Sequence, residues 1–215
     1  MRLIPRLLLA LLVLPLAATA AAPTAPDLQE GRDYERVAQP TPFQPLAGKI
    51  EVAELFGYTC PHCAHFEPQL AAWAKKLPAD VRFTPVPAVF GGYWDAWARA
   101  YYAAEQVGVA QRSHAAVFRA LHETGELPMQ NPSPEQLSAF YKGQGADPAR
   151  YSAALKSKAV DEKLRHARAF AVASGASGTP TIVVNGAYLV KGRSFEDQLR
   201  ITDALIQQIR SKKAP

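Results

Sequence analysis

Ile50-Glu51-Val52-Ala53-Glu54-Leu55-Phe56-Gly57-Tyr58-Thr59-Cys60-Pro61-His62-Cys63 is the stretch on which the reading of the whole chain turns. Residues 50–56 are β-branched and apolar enough to form a buried strand. Gly57-Tyr58-Thr59 leaves that strand. Pro61 suits the first turn of a helix, where its missing N–H costs nothing. Cys60 and Cys63 therefore fall at a strand-to-helix junction. They are the only two cysteines in 215 residues, so a framework of several disulfides is excluded. One redox pair becomes the leading reading, with metal binding as the competitor.

The position of the pair suggests its chemistry. Unpaired backbone N–H groups at a helix start favour negative charge, which stabilises a thiolate at Cys60. Cys63, one turn on, is expected to be more buried. Cys60 is then the sulfur that exchanges with substrate, and Cys63 resolves the mixed disulfide. A protonated His62 would stabilise the Cys60 thiolate further. Metal binding would have to use Cys60, His62, Cys63 and His65. Structural zinc draws on ligand pairs from separate segments, and no second pair is visible.

Outward from this junction the chain alternates and then changes character. Tyr34 to Val37 reads as a short edge strand and Gln39 to Pro45 as a proline-punctuated loop. Phe66, Leu70, Trp73 and Leu77 mark the helix after the cysteines, with a kink expected at Pro68. Val81 to Val86 reads as a further strand, imperfect at Pro85. From about Trp94 to Ser174 the spacing is helical. Trp94, Trp97, Tyr101 and Ala104 share a face, as do His114, Val117, Phe118 and Leu121. Leu137, Phe140 and Tyr141 mark a third helix, N-capped by Ser133 with Pro134 after it. Val160, Leu164, Ala167 and Ala171 mark a longer one. Strands return at Thr181–Val184 and Tyr188–Val190, around the turn dipeptide Asn185-Gly186. A last helix runs from about Phe195 to Arg210. A sheet is opened, interrupted by helices and then completed, which suggests one α/β domain with a helical insertion.

Residues 1–20 have the form of a secretory signal: Arg2 and Arg6, the apolar run Leu7–Leu16, then the small residues Ala18-Thr19-Ala20. Cleavage after Ala20 is expected, with Ala22 as the alternative. Residues 21–33 read as a flexible leader. Export places the cysteines in an oxidising compartment, a bacterial periplasm in our reading. About 195 residues then remain, enough for one domain with an insertion. The formal charge of +5 falls to +3 without Arg2 and Arg6. No long basic run accompanies it, so nucleic acid is not an expected partner.

The strand-to-Cys60-Pro61-His62-Cys63 junction, the segment Ser177-Gly178-Thr179-Pro180-Thr181 and the helical block between them resemble the thioredoxin superfamily. Within it, the likeness is to DsbA-like thiol:disulfide interchange proteins. It spans nearly the whole exported part. The resemblance implies a thioredoxin-like domain over residues 34–90 and 176–215, interrupted by a helical insertion over 91–175. It implies a cis peptide bond before Pro180, with Pro180 facing the cysteines. It implies that the backbone of Thr179 binds extended peptide. It also implies a buried acid at Glu54, able to relay a proton to or from Cys63. The family often carries a basic residue on the next strand, where this chain has Pro85. Glu51 is expected on the solvent face of its strand. No partner can be argued for His65, His114, His122 or His166.

The function expected is that of a periplasmic dithiol oxidase. Its disulfide passes to reduced exported proteins, and by resemblance a DsbB-type membrane quinone reductase reoxidises it. No dissociable cofactor is needed, because the cysteine pair is itself the redox group. A monomer is the default. A disulfide reductase or isomerase and a non-catalytic peptide-binding chaperone remain as alternatives.

Overall fold

The computed structural model describes residues 27–213. The signal peptide expected at residues 1–20 lies outside them. The elements run β1 (Tyr34–Arg36), β2 (Ile50–Phe56), α1 (Pro61–Ala74), β3 (Val81–Pro87), α2 (Tyr93–Gln106), α3 (Ala110–His122), α4 (Pro134–Gly143), α5 (Pro148–Leu155), α6 (Lys158–Ser174), β4 (Thr181–Val184), β5 (Tyr188–Val190) and α7 (Phe195–Lys213).

The five strands form one sheet in the order β1-β5-β4-β2-β3. β2 is parallel to β3 and antiparallel to β4. A parallel neighbour needs a crossover, which α1 supplies between β2 and β3. β4 and β5 form the expected hairpin. Asn185 and Gly186 both take positive φ at its turn, 53° and 62°. A side chain at Gly186 would meet the backbone of Thr41 and Pro42.

All seven residues of β2 are buried. Successive side chains point to opposite faces, and each face has its own core. One packs Ile50 and Val52 with Phe66 and Leu70 of α1, and with Leu199, Ile201 and Leu205 of α7. The other packs Ala53 and Leu55 with Val86, Val183 and the apolar residues of α2 to α6. The sheet is therefore covered on both sides, and the helices between β3 and β4 form one of its covers.

Several local readings change. Glu51 is fully buried, against the expectation of a solvent-facing residue. Its carboxylate accepts from Phe43 N at 2.7 Å, Gln44 N at 3.1 Å, Arg82 Nη2 at 2.9 Å and Thr84 Oγ1 at 3.2 Å. A buried carboxylate is tolerated when its lone pairs are filled in this way. The end of the expected flexible leader is also held. The Asp33 carboxylate accepts from Arg32 and from Gln29 N, and both bonds push its pKa down to about 2. The helical block contains a helix that the spacing did not separate, α5. It carries the same start signal as α4: Asp147 accepts from Arg150 N, and Pro148 follows the cap. The cap at α4 is as expected, with Ser133 and Gln136 forming a reciprocal capping box.

Candidate active site

Cys60 is the N-cap of α1, with extended backbone (φ −85°, ψ 116°), and Pro61 occupies the first turn. The Cys60 side chain makes no capping hydrogen bond, but its sulfur sits at the helix start, where the first N–H groups are unpaired. The backbone N–H groups of His62 and Cys63 both favour the Cys60 thiolate. The strongest contribution is the Cys63 thiol, which donates to Cys60, and the Thr179 hydroxyl adds to it. Burial opposes them and loses. The Cys60 pKa is lowered from 9.0 to about 5. The two sulfurs are unbridged, and Cys60 retains 6% exposure against 1% for Cys63. The order matches expectation, although Cys60 presents only a small opening to solvent.

Cys63 shifts the opposite way. Burial raises its pKa, and so do its bond to Cys60 and the nearby charges of Glu54 and Cys60. Its sulfur accepts from Gly57 N at 3.5 Å. One sulfur is thus held as a thiolate and its neighbour as a thiol.

The segment before β4 closes over the pair. The Thr179–Pro180 peptide bond is cis, as the resemblance implies. Cys60 Sγ lies 3.4 Å from the Thr179 carbonyl oxygen. Thr179 and Pro180 are half-buried, so the backbone beside the sulfur is reachable. His62 is exposed, and its contribution to Cys60 here is its backbone N–H.

Glu54 is buried, at 2% exposure, on the face of β2 that α1 covers. Its Oε2 has no hydrogen-bond partner. Burial raises its pKa well above the carboxylate range, and the charges of Glu67 and Cys60 raise it further. The residue opposite it on β3 is Pro85. That side of the acid therefore has no basic partner, as the sequence departure implied.

Two kinds of residue escaped the sequence reading. The first is Gly57. A side chain there would come within 2.1 Å of the Trp94 ring, which lies directly over the backbone. The second is the histidine set. His114 Nδ1 is 2.9 Å from the Tyr58 hydroxyl, and His122 Nε2 is 2.7 Å from the Tyr58 carbonyl oxygen. α3 therefore grips Tyr58, two residues before Cys60, at both ends. His166 stacks on Phe43. The signal for His114 was present in its position: a polar ring on the apolar face shared with Val117, Phe118 and Leu121. Among the described residues, no three of His, Cys, Asp and Glu are placed to hold a metal ion. No helix among them is long and apolar enough to cross a membrane.

Comparison with known proteins agrees with this geometry. A family described as the DSBA-like thioredoxin domain matches residues 80–201. Thiol:disulfide interchange protein DsbA of Pseudomonas aeruginosa is 38% identical over 194 residues, covering 88% of this chain and 90% of its own. The protein of the same name from Azotobacter vinelandii is 41% identical, over 86% of each chain. The crystal structure of the oxidoreductase DsbA from Xylella fastidiosa superposes with a TM-score of 0.83 at 53% identity. It covers 87% of this chain and all of that one. With the family match across more than half its length, and relatives that also span the cysteine junction, the chain belongs to the DsbA-like thioredoxin-domain family.

Proposed function

We propose that this protein is a periplasmic thiol:disulfide oxidoreductase that donates its Cys60–Cys63 disulfide to newly exported proteins. The observation that carries this reading is the opposite tuning of the two sulfurs. A stabilised Cys60 thiolate is a good leaving group and makes the reduced pair the favoured state, so the disulfide is a strong oxidant. Family membership and the names of the relatives support the reaction class.

A substrate thiolate attacks Cys60 Sγ, and the bond to Cys63 breaks. Cys63 leaves as a thiolate in a site that disfavours its charge, and takes the proton held by Glu54. A second substrate thiolate then attacks the substrate sulfur of the mixed disulfide and expels Cys60, itself a stabilised thiolate. Two electrons pass from two substrate thiols to the pair, and the substrate gains a disulfide. Pro61 and the backbone N–H of His62 set the thiolate pocket. The Thr179 backbone, beside cis Pro180, is the place for an extended segment of substrate to pair.

The cysteine pair is the whole redox centre in this scheme, with no dissociable cofactor. Reoxidation falls to a membrane quinone reductase of the DsbB type, and the working form is a monomer. The test is the reduction potential, measured by equilibrating the protein with glutathione buffers. A value near or above about −150 mV supports a disulfide donor, and one near about −270 mV indicates a reductase instead. A Cys60→Ser variant that retained full activity would point to a peptide-binding chaperone.

A further inference from the structure

We propose that His114 is a positioning residue for the exchange reaction: reaching from α3, it holds the Glu67 carboxylate inside the site, on the helix that covers the buried Glu54. This rests on the reading of Glu54 as proton donor to Cys63. It adds a second carboxylate and an imidazole from the helical block.

The ring of His114 is fixed before it meets Glu67. It lies edge-on to Phe56, at 4.7 Å between centroids, and to Phe118, at 5.2 Å. Tyr58 and Tyr101 close the remaining sides. Burial holds the Tyr58 hydroxyl in its protonated form. The hydroxyl pairs with Nδ1 at 2.9 Å, and in the tautomer where it donates there, Nε2 carries the N–H of the ring. That Nε2 is out of water and makes no hydrogen bond at normal distance. Facing it is Glu67 Oε2, 3.5 Å away, with the two side chains only 11% and 14% exposed. An N–H with no other partner and a carboxylate with little access to water have strong reason to stay together.

The consequence lies across the interface. Glu67 sits on α1, one turn beyond Cys63, and its charge acts on Glu54. Burial is the main reason Glu54 holds its proton, and because like charges resist joint ionisation, a Glu67 held in place adds to it. The other groups whose charges couple to Glu54 are Cys60, Cys63 and Tyr101. Cut from His114, Glu67 would turn toward solvent and its hold on Glu54 would weaken.

The experiment is a titration of the Glu54 carboxyl by carbon-13 NMR in the oxidised full-length mature protein, assigned with a Glu54→Gln control. Glu67→Gln and His114→Leu should each lower the Glu54 midpoint. The double variant should go no further than Glu67→Gln alone, because once the charge is gone His114 has nothing left to hold. His114→Gln can accept from Tyr58 and donate to Glu67, so it should keep the wild-type midpoint. An unmoved midpoint in Glu67→Gln overturns the inference, as does a His114→Gln variant that behaves like His114→Leu. If His114→Leu fails to fold, Glu67→Gln and His114→Gln still decide. Failure of the proton-donor reading shows separately. In that case Glu54→Gln leaves the pH profile of exchange unchanged, whatever the midpoint does in the other variants.

Discussion

Lowering the pH from 7 to 5 should remove a defined part of the stability of the reduced protein. Cys60 is an acid whose folded pKa is depressed, from 9.0 to about 5. Such a group contributes stability that is full above its unfolded pKa and is lost as pH falls toward the folded one. The window here is pH 9 to 5. Each pH unit within it is worth about 1.36 kcal/mol; at pH 5 Cys60 is half protonated and about 0.4 kcal/mol remains, so the reduced form should lose up to about 2.3 of the about 2.7 kcal/mol it holds at pH 7. Water at the open side of the sulfur screens the interaction, which makes this figure a ceiling. The oxidised form has no thiolate and should show no such loss from this source. At pH 7 the same energy makes the disulfide more oxidising by up to about 60 mV. The assay is paired denaturant unfolding of the oxidised and reduced protein at pH 5, 6 and 7, with thiolate absorbance followed in the reduced form. The potential itself gives a second reading. Above pH 5 reduction takes up one proton per two electrons, so the potential should fall by about 30 mV per pH unit. Below pH 5 two protons are taken up and the slope should double. A thiolate midpoint near 9, or a reduced form no more stable at pH 7 than at pH 5 relative to the oxidised form, would refute the reasoning.

Cys63→Ala removes the strongest donor to Cys60. A hydrogen bond to a charged group is worth roughly 1.5–3 kcal/mol, so thiolate absorbance should place the Cys60 midpoint about one to two pH units higher. Glu51→Leu leaves the Phe43 and Gln44 N–H groups and the Thr84 hydroxyl without their acceptor and takes one partner from Arg82, and urea unfolding should show a loss of about 3–5 kcal/mol. Gly57→Ala forces the Trp94 ring off the backbone; a cost of about 1–3 kcal/mol and a changed Trp94 environment, read by NMR, are expected. Ser133→Ala should cost about 1 kcal/mol at the start of α4, measured by thermal unfolding.

Much of this protein is legible along the chain because its signals are local. The apolar run 50–56, Pro61 after Cys60, Ser133-Pro134 and Asn185-Gly186 each state a backbone preference that no distant contact overrules. From them come the strand-to-helix junction, the order of elements and the placement of both cysteines at a helix start. The family resemblance also names Glu54 and Thr179-Pro180, which periodicity alone could not single out.

Tertiary structure alone decided what surrounds those residues. Glu51 and Glu54 sit three apart on one strand, and alternation sends them to opposite faces. Both faces are covered, so both acids are buried, and only the fold reveals that one is satisfied by four donors while the other lacks a partner on Oε2. Gly57 matters because Trp94, 37 positions away, rests on it. His114 looks like a stray polar ring on an apolar face until α3 packs beside α1 and brings it to Glu67 and Tyr58. The physical reason is the same in each case. Backbone preference depends on neighbours in sequence, whereas desolvation, charge coupling and hydrogen-bond satisfaction depend on neighbours in space.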